Sequence, residues 1–274
     1  MTVTTRSALD ADRARCIWIE DGAIRGIRYI DDVWPLFLGA GDGDLTLALQ
    51  DGTIGGMGKL THLYGGHCWL ESLRVHPDFQ NLGLGKAIYR RYFEEMAQRG
   101  LTACGMYTGF DNTHSRHLAE LYGLSLQGRF GEYAMAIGDV ASAPAFAPVA
   151  EEAGEAALAP HYAEMGDFAV LNRTWFPVAQ GLGAEMARRG WLYRGQNGAL
   201  VVAGSRFQPQ KALHVPFIHG DAGACLAFCH QLAREQGAAQ LTAVRPHGAP
   251  SEASMAALGF EKTSHDLITL WCGL

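Results

Sequence analysis

The chain has 274 residues, more than the roughly 100–200 of a typical domain, so two domains are expected. Hydrophobic residues make up 48% and charged residues 18%, a balance that belongs to folded globular protein and excludes disorder on a large scale. The net charge of −6 divides evenly, −3 over residues 1–137 (13 basic, 16 acidic) and −3 over 138–274 (9 basic, 12 acidic), so neither half has the basic character that phosphate neutralisation requires and no nucleic-acid partner is expected.

Cys16, Cys68, Cys104, Cys225, Cys229 and Cys272 are scattered without a Cys-x-x-Cys pair, which argues against a disulfide scaffold or a cysteine zinc site. No basic-then-apolar leader opens the chain and no apolar run approaches the roughly 18–20 residues that span a bilayer. A cytoplasmic protein with no membrane partner is the expectation. Homodimerisation is compatible with the sequence, which leaves the oligomeric state open.

In chain order, apolar segments at 45–50 and 55–63 flank Asp51-Gly52, a hairpin signal because glycine tolerates the positive φ of a tight turn. A strand over 68–75 follows the Gly65-Gly66 turn. The pattern then becomes helical, with Ala87, Ile88, Tyr92 and Met96 on one face and Gly100 as the stop. A strand over 102–107 and a helix over 113–122, with Asp111 or Asn112 as its N-cap, complete a mixed α/β arrangement of strands and covering helices. Residues 138–160 are rich in small residues and Pro and read as a linker running into a helix. Strand, helix, strand and helix then recur at 213–218, 222–235, 239–244 and 251–258. Tyr122-Gly123-Leu124 is answered by Leu258-Gly259-Phe260, which suggests a duplicated domain.

The chemistry concentrates where the strand ending in Leu73, Arg74 and Val75 turns at His76-Pro77 into Gln80-Asn81-Leu82-Gly83-Leu84-Gly85-Lys86 and a helix begins. Unpaired amides and the dipole at a helix start form an anion site, and glycines admit a phosphate to the backbone. Gln80 can donate a hydrogen bond and Lys86 adds a positive charge. A Walker loop fails because Ala87 follows Lys86, and a dinucleotide fingerprint fails because Ile88 stands three residues after Gly85.

The pattern Val75, then Gln80-x-x-Gly83-x-Gly85, resembles the acetyl-CoA motif of the GNAT superfamily of N-acetyltransferases. The resemblance extends over residues 69–124, because Asn112, Ala119 and Leu121-Tyr122-Gly123-Leu124 are similar to the superfamily's second block, with Leu124 where Phe is usual. It implies tandem GNAT folds: a catalytic domain at 1–140, a linker at 141–154, and a degenerate copy at 155–274 without the coenzyme segment. It further implies acetyl-CoA as cosubstrate, bound by Leu73, Arg74, Val75, residues 80–86, Asn112 and Tyr122. Pantetheine would insert beside the 68–75 strand, whose amides would also polarise the thioester carbonyl.

Acetyl transfer to an amine needs a proton acceptor, and the departing thiolate benefits from a donor. Alternation puts Trp69, Glu71 and Leu73 on one face of the strand. Glu71 is the candidate base, with a salt bridge to Arg74 or a substrate-anchoring role as the other readings. Burial in apolar surroundings generally suits a carboxylate to proton transfer. Tyr122 matches the family tyrosine beside the coenzyme sulfur and is the candidate acid; otherwise it is a core aromatic. Asn112 either bonds coenzyme or only caps its helix. Tyr29 and Asp32, beside Asp31 and Trp34, lie where the family frames the acceptor, and carboxylates there could recruit a cationic amine. His114 and His117 lack a third ligand nearby, so no metal is expected. The expected reaction is acetylation of a primary amine on a small molecule or amino acid. Peptide or protein acceptors, a non-catalytic acyl-CoA-binding regulatory module, and an aminoacyl-tRNA-dependent tandem transferase are the competing readings.

Overall fold

The Asp51-Gly52 turn forms as its residues dictate, with φ of 46° and 84°, and joins two antiparallel strands whose register begins at Gln50↔Thr53. The computed structural model describes residues 2–23, 28–39, 41, 43–138, 144–248 and 250–273. Two compact units emerge: residues 1–127 with 270–274, and residues 128–269.

The first unit runs β1 (Val3–Ser7), α1 (Arg13–Ala23), α2 (Ile30–Leu38), β2 (Gly43–Gln50), β3 (Thr53–His62), β4 (His67–Val75), α3 (Leu84–Arg99), β5 (Ala103–Gly109), α4 (Thr113–Leu121) and the start of β6 (Ser125–Ala136). Strands β1 to β4 are antiparallel neighbours in sequence order, and β5 joins β4 in parallel through the α3 crossover. Helix α3 buries Ala87, Ile88, Tyr92 and Met96 as their spacing requires, together with Leu84, Tyr89 and Glu95. Its end is closed by Gly100 at φ 66°, with the Leu101 amide donating to Met96 O at 2.9 Å.

The second unit runs β7 (Ala147–Pro148), α5 (Glu151–Leu158), α6 (Tyr162–Met165), β8 (Phe168–Leu171), β9 (Thr174–Pro177), α7 (Leu182–Arg188), β10 (Leu192–Arg194), β11 (Leu200–Gly204), β12 (Leu213–His219), α8 (Ala222–Glu235), β13 (Gln240–Pro246), α9 (Pro250–Ala257) and β14 (Glu261–Cys272). Its main sheet has the order β14-β6-β13-β12-β11-β10-β7, and β8 and β9 form a separate hairpin. Val201, Leu213, Val215, Phe228, Leu241 and Phe260 belong to its core. The strand and helix recurrence at 213–258 is therefore real, with β12, α8, β13 and α9 in the places of β4, α3, β5 and α4.

The unit boundaries differ from those expected at 1–140, 141–154 and 155–274. Residues 130–136 of β6 pair with β13 in the second unit, in a register from Gln240↔Ala136 to Pro246↔Phe130. Residues 270–272 in turn lie beside β5 in the first unit. There Trp271 is 1% exposed and covers Gly105, where an added Cβ would fall 2.1 Å from the indole. Burying a residue of that size is worth roughly 4–6 kcal/mol, and nothing in the local composition of either strand announces it. The expected linker also contains structure, because β7 and the start of α5 lie within it; residues 139–143 are outside the described residues. All six cysteines are free thiols. Among the described residues no helix is long and apolar enough to cross a membrane.

Candidate active site

Parallel pairing of β4 with β5 extends from His67↔Ala103 to Leu70↔Met106 and stops, although β4 continues to Val75 and β5 to Gly109. The two strands thus part just before Glu71. Between Glu71 and Leu73, Ser72 takes φ 57°, and the β3 register shifts between Met57 and Lys59. This bulge breaks the alternation expected to put Glu71 and Leu73 on one face, because the extra residue turns the strand.

Beyond Val75 the chain makes a short turn over Pro77–Phe79, and Gln80 Nε2 reaches back to Val75 O at 3.4 Å. Asn81 and Gly83 then adopt φ of 62° and 88°. Gly83 is the N-cap of α3, with no side-chain cap, and the first helical bond is Ala87 N to Gly83 O at 3.0 Å. No amide from Asn81 to Lys86 has an acceptor among the described residues. A run of unpaired N–H groups at the positive end of a four-turn helix is an anion site built from backbone alone. Leu84 anchors it in the core, while Lys86 is exposed. The two glycines have different causes: Gly83 has open space around it and answers to φ, whereas a Cβ on Gly85 would approach Leu118 to 3.2 Å.

Glu71 is buried, accepts a hydrogen bond from Thr61 Oγ1 and stands opposite Lys59 in the β3–β4 register. Tyr29 is its neighbour: the phenol hydrogen-bonds Ser72 Oγ at 2.7 Å and lies in electrostatic reach of Arg74, Tyr107 and Glu71. Burial pushes the Tyr29 hydroxyl up to about 12, so it is a phenol at neutral pH. Arg74 does not make the salt bridge with Glu71 that the sequence allowed. Its guanidinium is buried in an ion pair with Glu20 and packs over the Tyr29 ring at 4.6 Å, so its side chain is turned to α1 and is not the partner of Glu71. Glu20 also accepts from the amides of Tyr29 and Ile30 and thereby fixes the start of α2. Its place with Cys16 and Ile19 on the buried face of α1 is the sequence signal that could have marked it.

Asp32 and Asp31 line a cavity of about 300 Å³ together with Ile17, Glu20, Asp21, Arg28 and Tyr29, four carboxylates against one guanidinium. Arg13 holds Asp31 at 2.8 Å and Arg28 holds Asp21 at 2.9 Å. Glu71 does not line this cavity, so Tyr29 is the residue common to both places. Trp34 is core, 2% exposed, and donates Nε1–H to Asp10.

Tyr122 follows the last turn of α4, stacks on Tyr89 and Phe93 at 4.9 and 5.8 Å, and donates its hydroxyl to Lys86 O at 2.7 Å. The phenol is thereby tied to the first turn of α3, beside the open amides. Desolvation raises its pKa above 10.0, which keeps it a proton donor. Asn112 caps α4, its Oδ1 accepting from the Ser115 amide at 3.2 Å. His114 and His117 are exposed on α4.

Residues 12–124 match the sequence profile of the acetyltransferase (GNAT) family. The matched segment lies within the first unit, which is therefore similar to GNAT acetyltransferase domains. No curated protein sequence matches the chain. Solved structures similar along nearly the whole length show the tandem architecture. A GCN5-related N-acetyltransferase from Sphaerobacter thermophilus aligns with TM-score 0.63 at 15% identity, covering 98% of this chain and 95% of that one. A tandem GNAT protein from the clavulanic acid biosynthesis pathway gives 0.58 at 12%, covering 99% and 98%. A GCN5-related N-acetyltransferase from Kribbella flavida gives 0.56 at 13%, covering 98% and 70%. Residues 12–124 thus resemble the GNAT acetyltransferases, a family that uses acetyl-CoA, and the whole chain shares its fold with the solved structures named above.

Proposed function

We propose that this GNAT enzyme moves the acetyl group of one acetyl-CoA, held by the first unit, to the primary amine of a small molecule or amino acid. The observation that carries the single coenzyme site is a contrast between equivalent helices. The amides opening α3 are uncapped, whereas in the second unit Asp221 caps α8 and accepts from the Ala224 amide at 3.1 Å. A carboxylate already seated on those amides satisfies them and repels a phosphate.

In the proposed reaction the pyrophosphate rests on residues 81–86 and pantetheine enters where β4 and β5 part. Glu71 accepts a proton from the acceptor ammonium, and the free amine attacks the thioester carbonyl. A β4 amide at the bulge stabilises the oxyanion. Attack leaves the tetrahedral intermediate with a cationic nitrogen; as it collapses the C–S bond breaks, the Tyr122 phenol protonates the departing thiolate to give free coenzyme A, the nitrogen's extra proton returns to the phenolate through solvent, and Glu71 releases the proton it took to bulk water. The acidic lining around Tyr29 and Asp32 favours a cationic acceptor. Coenzyme A release measured over a panel of amines and amino acids tests the reading: amine-dependent release with one acetyl-CoA per chain is expected. Binding of two equivalents, or release that no amine stimulates, would overturn it.

A further inference from the structure

We propose that the second unit binds one zinc-class divalent cation through His161, Glu164 and His219. One donor atom from each residue lies within 4.8 Å of the others. His161 Nδ1 is 3.1 Å from Glu164 Oε1, and His219 Nδ1 is 2.9 Å from Glu164 Oε2. Tetrahedral zinc with bonds of about 2.0–2.1 Å separates its donors by about 3.3–3.4 Å. The two contacts use different oxygens of Glu164 and the three donors lie within 4.8 Å of one another, so rotation of these side chains is what brings one donor from each to that spacing.

The framework for that geometry is built from three pieces of chain. His161 closes a 3₁₀ turn (Ala159–His161), and Glu164 follows three residues later on α6. His219 comes 55 residues after Glu164 and is the last residue of β12, fixed by its register with Leu200. The imidazole centroids are 4.0 Å apart and inclined at 45°, so the rings converge on one carboxylate without stacking in parallel. Phe217, two residues before His219 on the same strand face, lies 6.1 Å from the His161 ring and 6.5 Å from the His219 ring. It gives the cluster an apolar side.

The donor set selects the ion. Two imidazoles and a carboxylate suit zinc, cobalt or nickel; magnesium and calcium demand six or more oxygens. Three protein ligands also leave a fourth position, and the Glu164 and His219 side chains are 52% and 35% exposed, so solvent can fill it. The group is placed at the end of β12, where the first unit instead leads from β4 into its coenzyme segment.

The test uses the full chain after treatment with a chelator, titrated by calorimetry with zinc chloride and by visible absorption with cobalt chloride. One equivalent is expected to bind, and His161→Ala, Glu164→Gln and His219→Ala should each weaken binding by at least about 100-fold, since even outer-shell partners of a metal are worth 10–100-fold. His219→Gln replaces the alanine variant should alanine prevent folding, judged by circular dichroism. A His114→Ala/His117→Ala protein should bind as wild type does. Absence of a stoichiometric site in the wild type, or undiminished binding in the His161 and His219 variants, would overturn the assignment.

Discussion

Placing a carboxylate at the N-cap of α3 should convert the first unit's anion site into the closed form seen at α8. Gly83 has φ 88° and ψ 3°, a left-handed conformation in which a side chain costs about 1 kcal/mol. A Cβ there meets nothing within 4 Å, so no steric cost adds to the strain. Gly83→Asn carries the same strain without the charge and is the control. A carboxylate about 5 Å from a phosphate contributes about 1–3 kcal/mol of repulsion for an effective dielectric between roughly 20 and 80. Gly83→Asp should therefore bind acetyl-CoA roughly 5- to 150-fold more weakly than Gly83→Asn, at equal Tm, and the gap should narrow as salt is added. Calorimetric titration of both variants at low and high ionic strength provides the measurement. Equal affinities would mean that the phosphates do not rest on the α3 amides.

Glu71→Gln should lower kcat by about 10²–10⁴-fold, the usual value of a positioned base, while acetyl-CoA affinity is retained. A wild-type rate and pH profile in that variant would remove the base role. Tyr122→Phe keeps the stacking on Tyr89 and Phe93 but loses the hydroxyl bond to Lys86 O, so a stability loss of about 0.5–1.5 kcal/mol and a reduced kcat at unchanged acetyl-CoA affinity are expected. An unaltered kcat would sink the acid assignment. In the second unit, burial lowers the His214 pKa from 6.5 to about 4. Between those values the unfolded chain binds the proton and the folded one does not, so stability is full above pH 6.5 and falls toward pH 4. The loss is on the order of 3 kcal/mol, and His214→Gln should flatten that part of the curve in denaturant titrations. An identical acid slope in the variant would show that other groups control it.

What the linear sequence determined is local. The Asp51-Gly52 turn, the buried face of α3 and the glycine-bearing turn that opens α3 were all legible, because each depends on dihedral preferences and helical period within a few residues. An anion site of consecutive backbone amides needs no distant partner, so its spacing in sequence already specified it. The duplicated β12, α8, β13 and α9 were legible for the same reason.

Tertiary structure decided whatever depends on long-range partners. The face that Glu71 presents follows from the Ser72 bulge, a backbone state that no residue type at that position demands. The Arg74 side chain is turned to α1 by Glu20, 54 residues earlier in the chain. The unit boundary lies at Gln127/Gly128 because β6 and the end of β14 find their neighbours by register, while the sequence marks only the Pro-rich stretch beyond. His161, Glu164 and His219 become a cluster only when α6 meets the end of β12. Close packing and strand pairing bring together atoms far apart in the chain, and a pattern with a period of two or 3.6 residues carries no record of that.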